Sequence, residues 1–540
     1  MYFTEHMLRR TIAIVFTLRI ELMTALPAFL PAVAVVLLAV SALILATRKS
    51  LHRPWRVFMP LSVLALMATL PGLWPGADTQ ATQIWSGWLA LTPLAGVVAV
   101  LVQFLGTVIG SFSSRYLEGE ARQRTYAAAL AGVLAAVQLL LLADHWLVLI
   151  AAWALIGVAL QHLLCFYAER PFARLAAHKK RLADRAADVL LLAAALLAWS
   201  SVGSGSLTDL FATVSQHGAD TALQLCALCL ALAVILRTAL LPVHGWLIQV
   251  MEAPTPVSAL LHAGVVNLGG FILIRFAPLL DHAAAARWLL VALGLASAVL
   301  AGMVMLTRIT IKVRLAWSTA AQMGFMVLEC GLGMYTLAAL HLIGHSLYKA
   351  HHFLSASSAV RETRLRMLHG AHGMHAAPLL AAPVLAAAIL MALQLAHGAV
   401  AWPWWWTLLL ALAWAPLLWL ARGVSARTTA TQIIAGMLMV AALGLAALLA
   451  HALPLGLHDA PNTAQGVVAV IGMAALYTCL AVLQWHPHAL AAWQRWSYAG
   501  FYVDEHYTRL ALRLWPAQWT VAPTAAAPSP AAIWAVASPR

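Results

Sequence analysis

Apolar runs of about 20 residues, repeated from one end of the chain to the other, constrain this sequence more than anything else in it. A bilayer core is crossed by roughly 20 residues of helix. Such runs fall near residues 24–46, 57–75, 84–112, 126–143, 146–167, 188–203, 221–252, 256–280, 287–308, 314–331, 335–359, 376–398, 403–421, 428–450 and 465–484. Backbone groups in lipid must be satisfied within their own segment or within a closed barrel, and unbroken apolar runs differ from the short alternation of barrel strands. The expected fold class is an all-α polytopic membrane protein with about 15 transmembrane helices. Charged residues make up only 9% of the chain, against about a quarter in soluble domains.

The net charge of +14 reads as topology, and no nucleic-acid partner is expected. Basic residues gather in alternate loops: Arg48, Lys49, Arg53 and Arg56; Arg115, Arg122 and Arg124; Arg170, Arg174, Lys179, Lys180, Arg181 and Arg185. The pattern continues with Arg308, Lys312 and Arg314, then Arg361, Arg364 and Arg366, then Arg422 and Arg427. Intervening loops hold Asp78, Asp209, Asp220 and Asp459. Basic loops stay on the cytoplasmic side, which predicts a plasma (inner) membrane protein in contact with lipid. Loop 168–187 is then cytoplasmic, loop 204–220 outside and the C-terminus inside.

Residues 1–23 carry Arg9, Arg10 and Arg19 against that pattern. Either translation starts at Met23 or the segment is a surface amphipathic helix. Residues 485–540 are expected to form a cytoplasmic tail, rich in Ala and Pro towards its end. Cys226 and Cys229 form a CxxC inside an apolar run and read as packing residues. No cofactor is expected, and no metal site, because His, Cys and Asp do not cluster with zinc-ligand spacing.

One stretch breaks the apolar monotony: "LRTALLPVHGWLIQVMEAPTPVSALLHAG". Pro242 removes a helix hydrogen bond and predicts a kink; Glu252, Pro254 and Pro256 follow as structural or gating candidates. Broken helices are tolerated in membranes where the freed backbone lines a protein or water cavity. Arg237 precedes the break and His262 lies beyond it. Lys312 starts the run at 314–331 and Glu329 lies near its other end. In "LHLIGHSLYKAHHFL", His341, His345 and Lys349 are four apart, so each drifts only about 40° around a helix. Ionisable groups at membrane depth are functional hypotheses by default. Taken singly, Arg237 and Lys312 could snorkel to the interface; as a set, the seven predict a proton or ion path.

The segments "PVHGWLIQVMEAPTPVSALLHAG", "IKVRLAWSTAAQMGFM" and "LHLIGHSLYKAHHFL", with a weaker "AAHKKRLADRAADVLLL" and the ending "GFYVDEHY", resemble the antiporter-like subunits of respiratory complex I (subunit L type) and of Mrp antiporters. The resemblance implies two inverted five-helix repeats containing broken helices, at 126–280 and 287–421, flanked by N-terminal helices at 24–125 and C-terminal helices at 428–484. It also implies that Lys349 and His345 are the family's central lysine and its histidine neighbour, with Lys312 and His262 on the same polar axis. Arg237 stands where the family usually has a lysine.

Two departures are sharper. Where the family reads tryptophan, glutamate, two residues and glycine, this chain has Trp153, Ala154, Leu155, Ile156 and Gly157. The family's late lysine has no counterpart beyond Gln394 and His397. These departures make the chain most similar to the DabB-type subunits of inorganic carbon pumps. That resemblance implies a non-enzymatic subunit in which ion flow, most simply of protons, powers a DabA-type zinc partner resembling a β-carbonic anhydrase, as a heterodimer or larger complex. The alternative is a proton-pumping subunit of NADH-quinone oxidoreductase or of an Mrp-type cation/proton antiporter.

Overall fold

The computed structural model describes residues 29–73, 81–356, 376–398, 402–420, 425–486 and 490–517. The N-terminal extension, the end of the tail, and Arg361, Arg364, Arg366 and Arg422 lie outside the described residues. Helices run in the order α1 (Phe29–Thr47), α2 (Trp55–Thr69), α3 (Pro93–Tyr116), α4 (Gln123–Leu142), α5 (Trp146–Leu164), α6 (Pro171–Val202) and α7 (Leu207–His217). Next come α8 (Thr221–Arg237), α9 (Gly245–Gln249), α10 (Thr255–Ala263), α11 (Leu268–Arg275), α12 (Ala277–Asp281), α13 (Ala284–Leu306), α14 (Ile311–Leu332) and α15 (Tyr335–Leu354). The chain continues through α16 (Ala376–Ala396), α17 (Trp404–Trp414), α18 (Ala426–His451), α19 (Thr463–Trp485), α20 (Ala491–Tyr498) and α21 (Val503–Leu514).

Among the described residues, 11 helical segments are long and apolar enough to cross a membrane. Helices α14 and α15, of 22 and 20 residues, are of similar length but carry buried charges. The fold is thus a multi-pass helical membrane protein. Its apolar core falls into two main clusters. The larger is built chiefly from α1–α15, and the second is made by α16–α19 against one side of α13–α15.

The expected break after residue 221 is present but takes a different form. Pro242 kinks no helix: α8 stops at Arg237, and Pro242 stands in a non-helical link of residues 238–244. The residue before a proline is pushed out of the helical region, and Ala239 already sits at φ 54°. Pro254 caps α10 in an extended conformation and Pro256 occupies its first turn, where a proline's missing N–H costs nothing. A second break at Gly264, filled by a 3-10 turn at Val265–Asn267, separates α10 from α11. Glu252 is held by Arg170, which donates to its carbonyl at 2.8 Å and approaches its carboxylate at 3.6 Å. Both side chains are more than a third exposed, so the pair contributes about 0–1 kcal/mol.

Three expectations fail locally. Residues 84–92 are not part of a helix. Strands β1 (Thr82–Trp85) and β2 (Leu89–Leu91) form a small antiparallel hairpin there. The helix begins only where Thr92 caps Ala95 N–H at 3.1 Å and Pro93 takes the first position. Residues 168–187 are not a loop, because most of them form the first half of the 32-residue α6, with His178, Lys179 and Lys180 buried. Residues 204–220 contain α7, capped by Ser206. Within the segment 485–540, α21 packs on α6 and α9.

Candidate functional site

Helix α15 turns one stripe inward, so that His345, Ser346, Lys349 and Phe353 are buried while Gly344, Leu347, Tyr348 and His351 are exposed. The four-residue spacing of His341, His345 and Lys349 thus becomes one line facing α14 and α10. Lys349 is fully buried and donates to Ser318 Oγ at 2.7 Å and to the Leu315 carbonyl at 3.2 Å, both on α14. One turn on, the His345 and His341 rings lie 6.0 Å apart. His341 Nδ1 is 2.8 Å from a Glu329 carboxylate oxygen. At the other end of α14, Lys312 donates to Thr255 Oγ1 on α10 at 2.7 Å, and Tyr116 meets the same hydroxyl at 3.3 Å. Lys312 and Glu329 are separated by about 25 Å of helix. His262, buried in α10, stacks on Phe353 with ring centroids 4.6 Å apart.

Six of the seven candidate path residues are therefore gathered at α10, α14 and α15. Buried polar groups ordinarily find partners, yet neither ring nitrogen of His262 or His345 bonds to protein. Among the described residues, both rings are thus buried without a hydrogen-bond partner.

Arg237 belongs to a different cluster. Its guanidinium donates to the Trp153 carbonyl at 2.9 Å, lies over the Trp153 ring, and is ion-paired to Asp188 on α6. One and two turns earlier on α6 stand Asp184 and Lys180, hydrogen-bonded to each other. Lys180 also sits 5.3 Å from the Trp246 ring of α9. Asp184 and Asp188 were not among the expected functional residues. The i, i+4 spacing of Lys180, Asp184 and Asp188 was a visible signal of one helical face, hidden by reading the segment as a charged loop. Asp188 thus reaches the cation beside Trp153 from the next helix.

Lys179, one residue away on α6, points to the tail. Its fully buried ammonium donates to Asp504 at 2.7 and 3.0 Å and to Thr508 Oγ1 at 3.0 Å. Burial and the adjacent Asp504 carboxylate push the Tyr507 phenol up to about 12. On α16, Gln394 is locked in a neutral network, donating to Thr407 Oγ1, and the nearby His397 is exposed. Neither joins the charged residues.

Residues 143–401 match the family described as NADH:quinone oxidoreductase/Mrp antiporter, transmembrane. A protein of Hydrogenovibrio crunogenus named probable inorganic carbon transporter subunit DabB is 37% identical over 86% of this chain and 91% of its own length. NADH-ubiquinone oxidoreductase chain 5 of Metridium senile is 32% identical over 55% of this chain and 50% of its own. The structure of an Mrp complex from Dietzia sp. superposes with a TM-score of 0.56 at 21% identity, covering 90% of this chain and 55% of that one.

Proposed function

The chain belongs to the family of DabB-type inorganic carbon transporter subunits, and on that premise we propose that it is the proton-translocating subunit of a two-subunit inorganic carbon pump. The observation that carries the proposal is the line Lys312, Lys349, His345, His341 and Glu329, in which Lys349, His345 and Glu329 are buried and Lys312 and His341 half-buried, with the buried His262 beside it. Placing a lysine in a bilayer interior is costly unless its charge is used. Among the described residues, the Lys349 ammonium bonds only to neutral oxygens, with no carboxylate paired to it.

In this reading a proton enters near Lys312, resides on Lys349, and moves through His345 and His341 to Glu329. Each transfer leaves the donor ready to be reloaded, and no electron is exchanged. The rings of His262 and His345 act as relay positions. The energy released drives a DabA-type zinc protein, docked on the cytoplasmic face, to convert carbon dioxide into trapped bicarbonate. The chain lies in the plasma (inner) membrane with its C-terminus inside.

The test is rescue of a carbonic-anhydrase-deficient host growing in air. Co-expression of this chain with the zinc protein should rescue growth, and neither alone should. Rescue by this chain alone would sink the two-subunit reading. Failure with every zinc partner, joined to membrane-potential-generating activity beside quinone-oxidoreductase subunits, would favour the respiratory alternative.

A further inference from the structure

We infer that Lys180 and Asp184 form a second proton-exchange centre, in place of the missing α5 glutamate and of a lysine at position 237. The inference rests on the proton-pump reading above and locates a step in it that the resemblance leaves empty.

The row on α6 and α8 contains two buried cations and two carboxylates: Lys180 with Asp184, and Arg237 with Asp188, which the exposed Arg185 also approaches at 3.7 Å. A guanidinium is effectively always protonated, so the Arg237–Asp188 pair is a fixed charge pair. Of the two cations, only Lys180 can give up a proton. Its ammonium is already hydrogen-bonded to an Asp184 carboxylate oxygen, so transfer needs no rearrangement. The proton leaves Nζ for Oδ2, converting ammonium and carboxylate into amine and carboxylic acid. When the acid passes its proton on, the carboxylate returns and the amine accepts the next one. One proton moves per cycle, and the row stays neutral before and after the transfer.

Two observations separate this from a structural ion pair. A buried pair is weak support for a fold, because the desolvation penalty offsets the attraction. An Ala-rich helix of 32 residues has no evident need of one. The second is steric: a Cβ on Gly157 would lie 2.9 Å from Asp184 Oδ2. Helix α5 is thus shaved back where the carboxylate stands, at the same turn as the lost glutamate. Lys180 meanwhile abuts Trp246 on α9, the short helix that follows the break.

The experiment uses the complete chain with its zinc partner, measuring gradient-driven inorganic carbon uptake and its pH profile, normalised to complex recovered from membranes. Lys180→Arg retains the charge and the pairing but cannot release a proton, and should lose roughly 100-fold or more of the uptake. Asp184→Glu should retain uptake with a displaced pH profile. Lys180→Gln/Asp184→Asn removes both charges, so it should be recovered in normal amount yet remain inactive. Wild-type uptake that collapses with an uncoupler, alongside Lys180→Arg at full rate with an unchanged pH profile, overturns this inference alone. An active double variant overturns it too. Wild-type uptake indifferent to an uncoupler overturns the pump reading and this inference with it.

Discussion

The contact between Asp504 and the broken stretch gives the sharpest structural prediction. Asp504 accounts for two of the three hydrogen bonds of the fully buried Lys179 ammonium, leaving only Thr508 if it is removed. Removing one partner of a buried ion pair costs about 3–5 kcal/mol, which lowers the docked population of the tail by roughly 100-fold or more. Helix α21, of 12 residues, is too short to persist undocked in water. The same site has a steric counterpart, because a Cβ on Gly245 would lie 1.4 Å from Asp504 Oδ1. Asp504→Ala and Gly245→Ala should therefore each release the tail. The assay is the rate of tryptic cleavage at Arg509 and Arg513 in nanodisc-held protein, where cleavage requires local unfolding. Both variants should be cut at least tenfold faster than wild type. The double change Lys179→Met/Asp504→Leu should restore protection, since an apolar pair of similar volume removes the uncompensated charge. Wild-type cleavage rates in Asp504→Ala would refute the reasoning.

Other outcomes follow from single contacts. Arg237→Lys keeps a charge for Asp188 but cannot also reach the Trp153 carbonyl, so it should cost about 1.5–3 kcal/mol of local stability while retaining more uptake than any neutral residue there; equal loss in Arg237→Lys and Arg237→Gln would contradict this. Glu329→Gln should depress uptake while His341→Gln/Glu329→Gln does no further harm, because the two form one unit at 2.8 Å; additive losses would separate them. Cysteines at the exposed positions 174 and 216 should be labelled only from the cytoplasm and only from outside, respectively, by an impermeant maleimide. The reverse pattern inverts the proposed topology.

Much of the fold was legible because lipid leaves the backbone few options. Runs of about 20 apolar residues became helices, and Pro242 with Gly245 marked a real interruption. What was hidden on α6 has one cause: a charged side chain was equated with exposure. Lys179 and Lys180 looked like loop residues, yet tertiary partners on α21 and on their own helix bury them. The four-residue spacing of Lys180, Asp184 and Asp188 was helical evidence in itself. Asp504 was visible only as part of the ending "GFYVDEHY", since nothing local ties position 504 to position 179. The line His341, His345 and Lys349 was readable because all three lie on one helix, whose period is fixed. The link from Lys312 to Thr255 crosses helices and was not. The hairpin at Thr82–Leu91 was lost because its apolar residues merge with the run that follows.

The central claim, that Lys349 works by giving up its proton, is tested most directly by Lys349→Arg. The guanidinium keeps the charge and can still donate to Ser318 and the Leu315 carbonyl, so assembly with the zinc partner should persist. Gradient-driven uptake per recovered complex should nevertheless fall close to the level of Lys349→Ala. Uptake by Lys349→Arg at the full wild-type rate would show that the lysine acts only as a fixed charge.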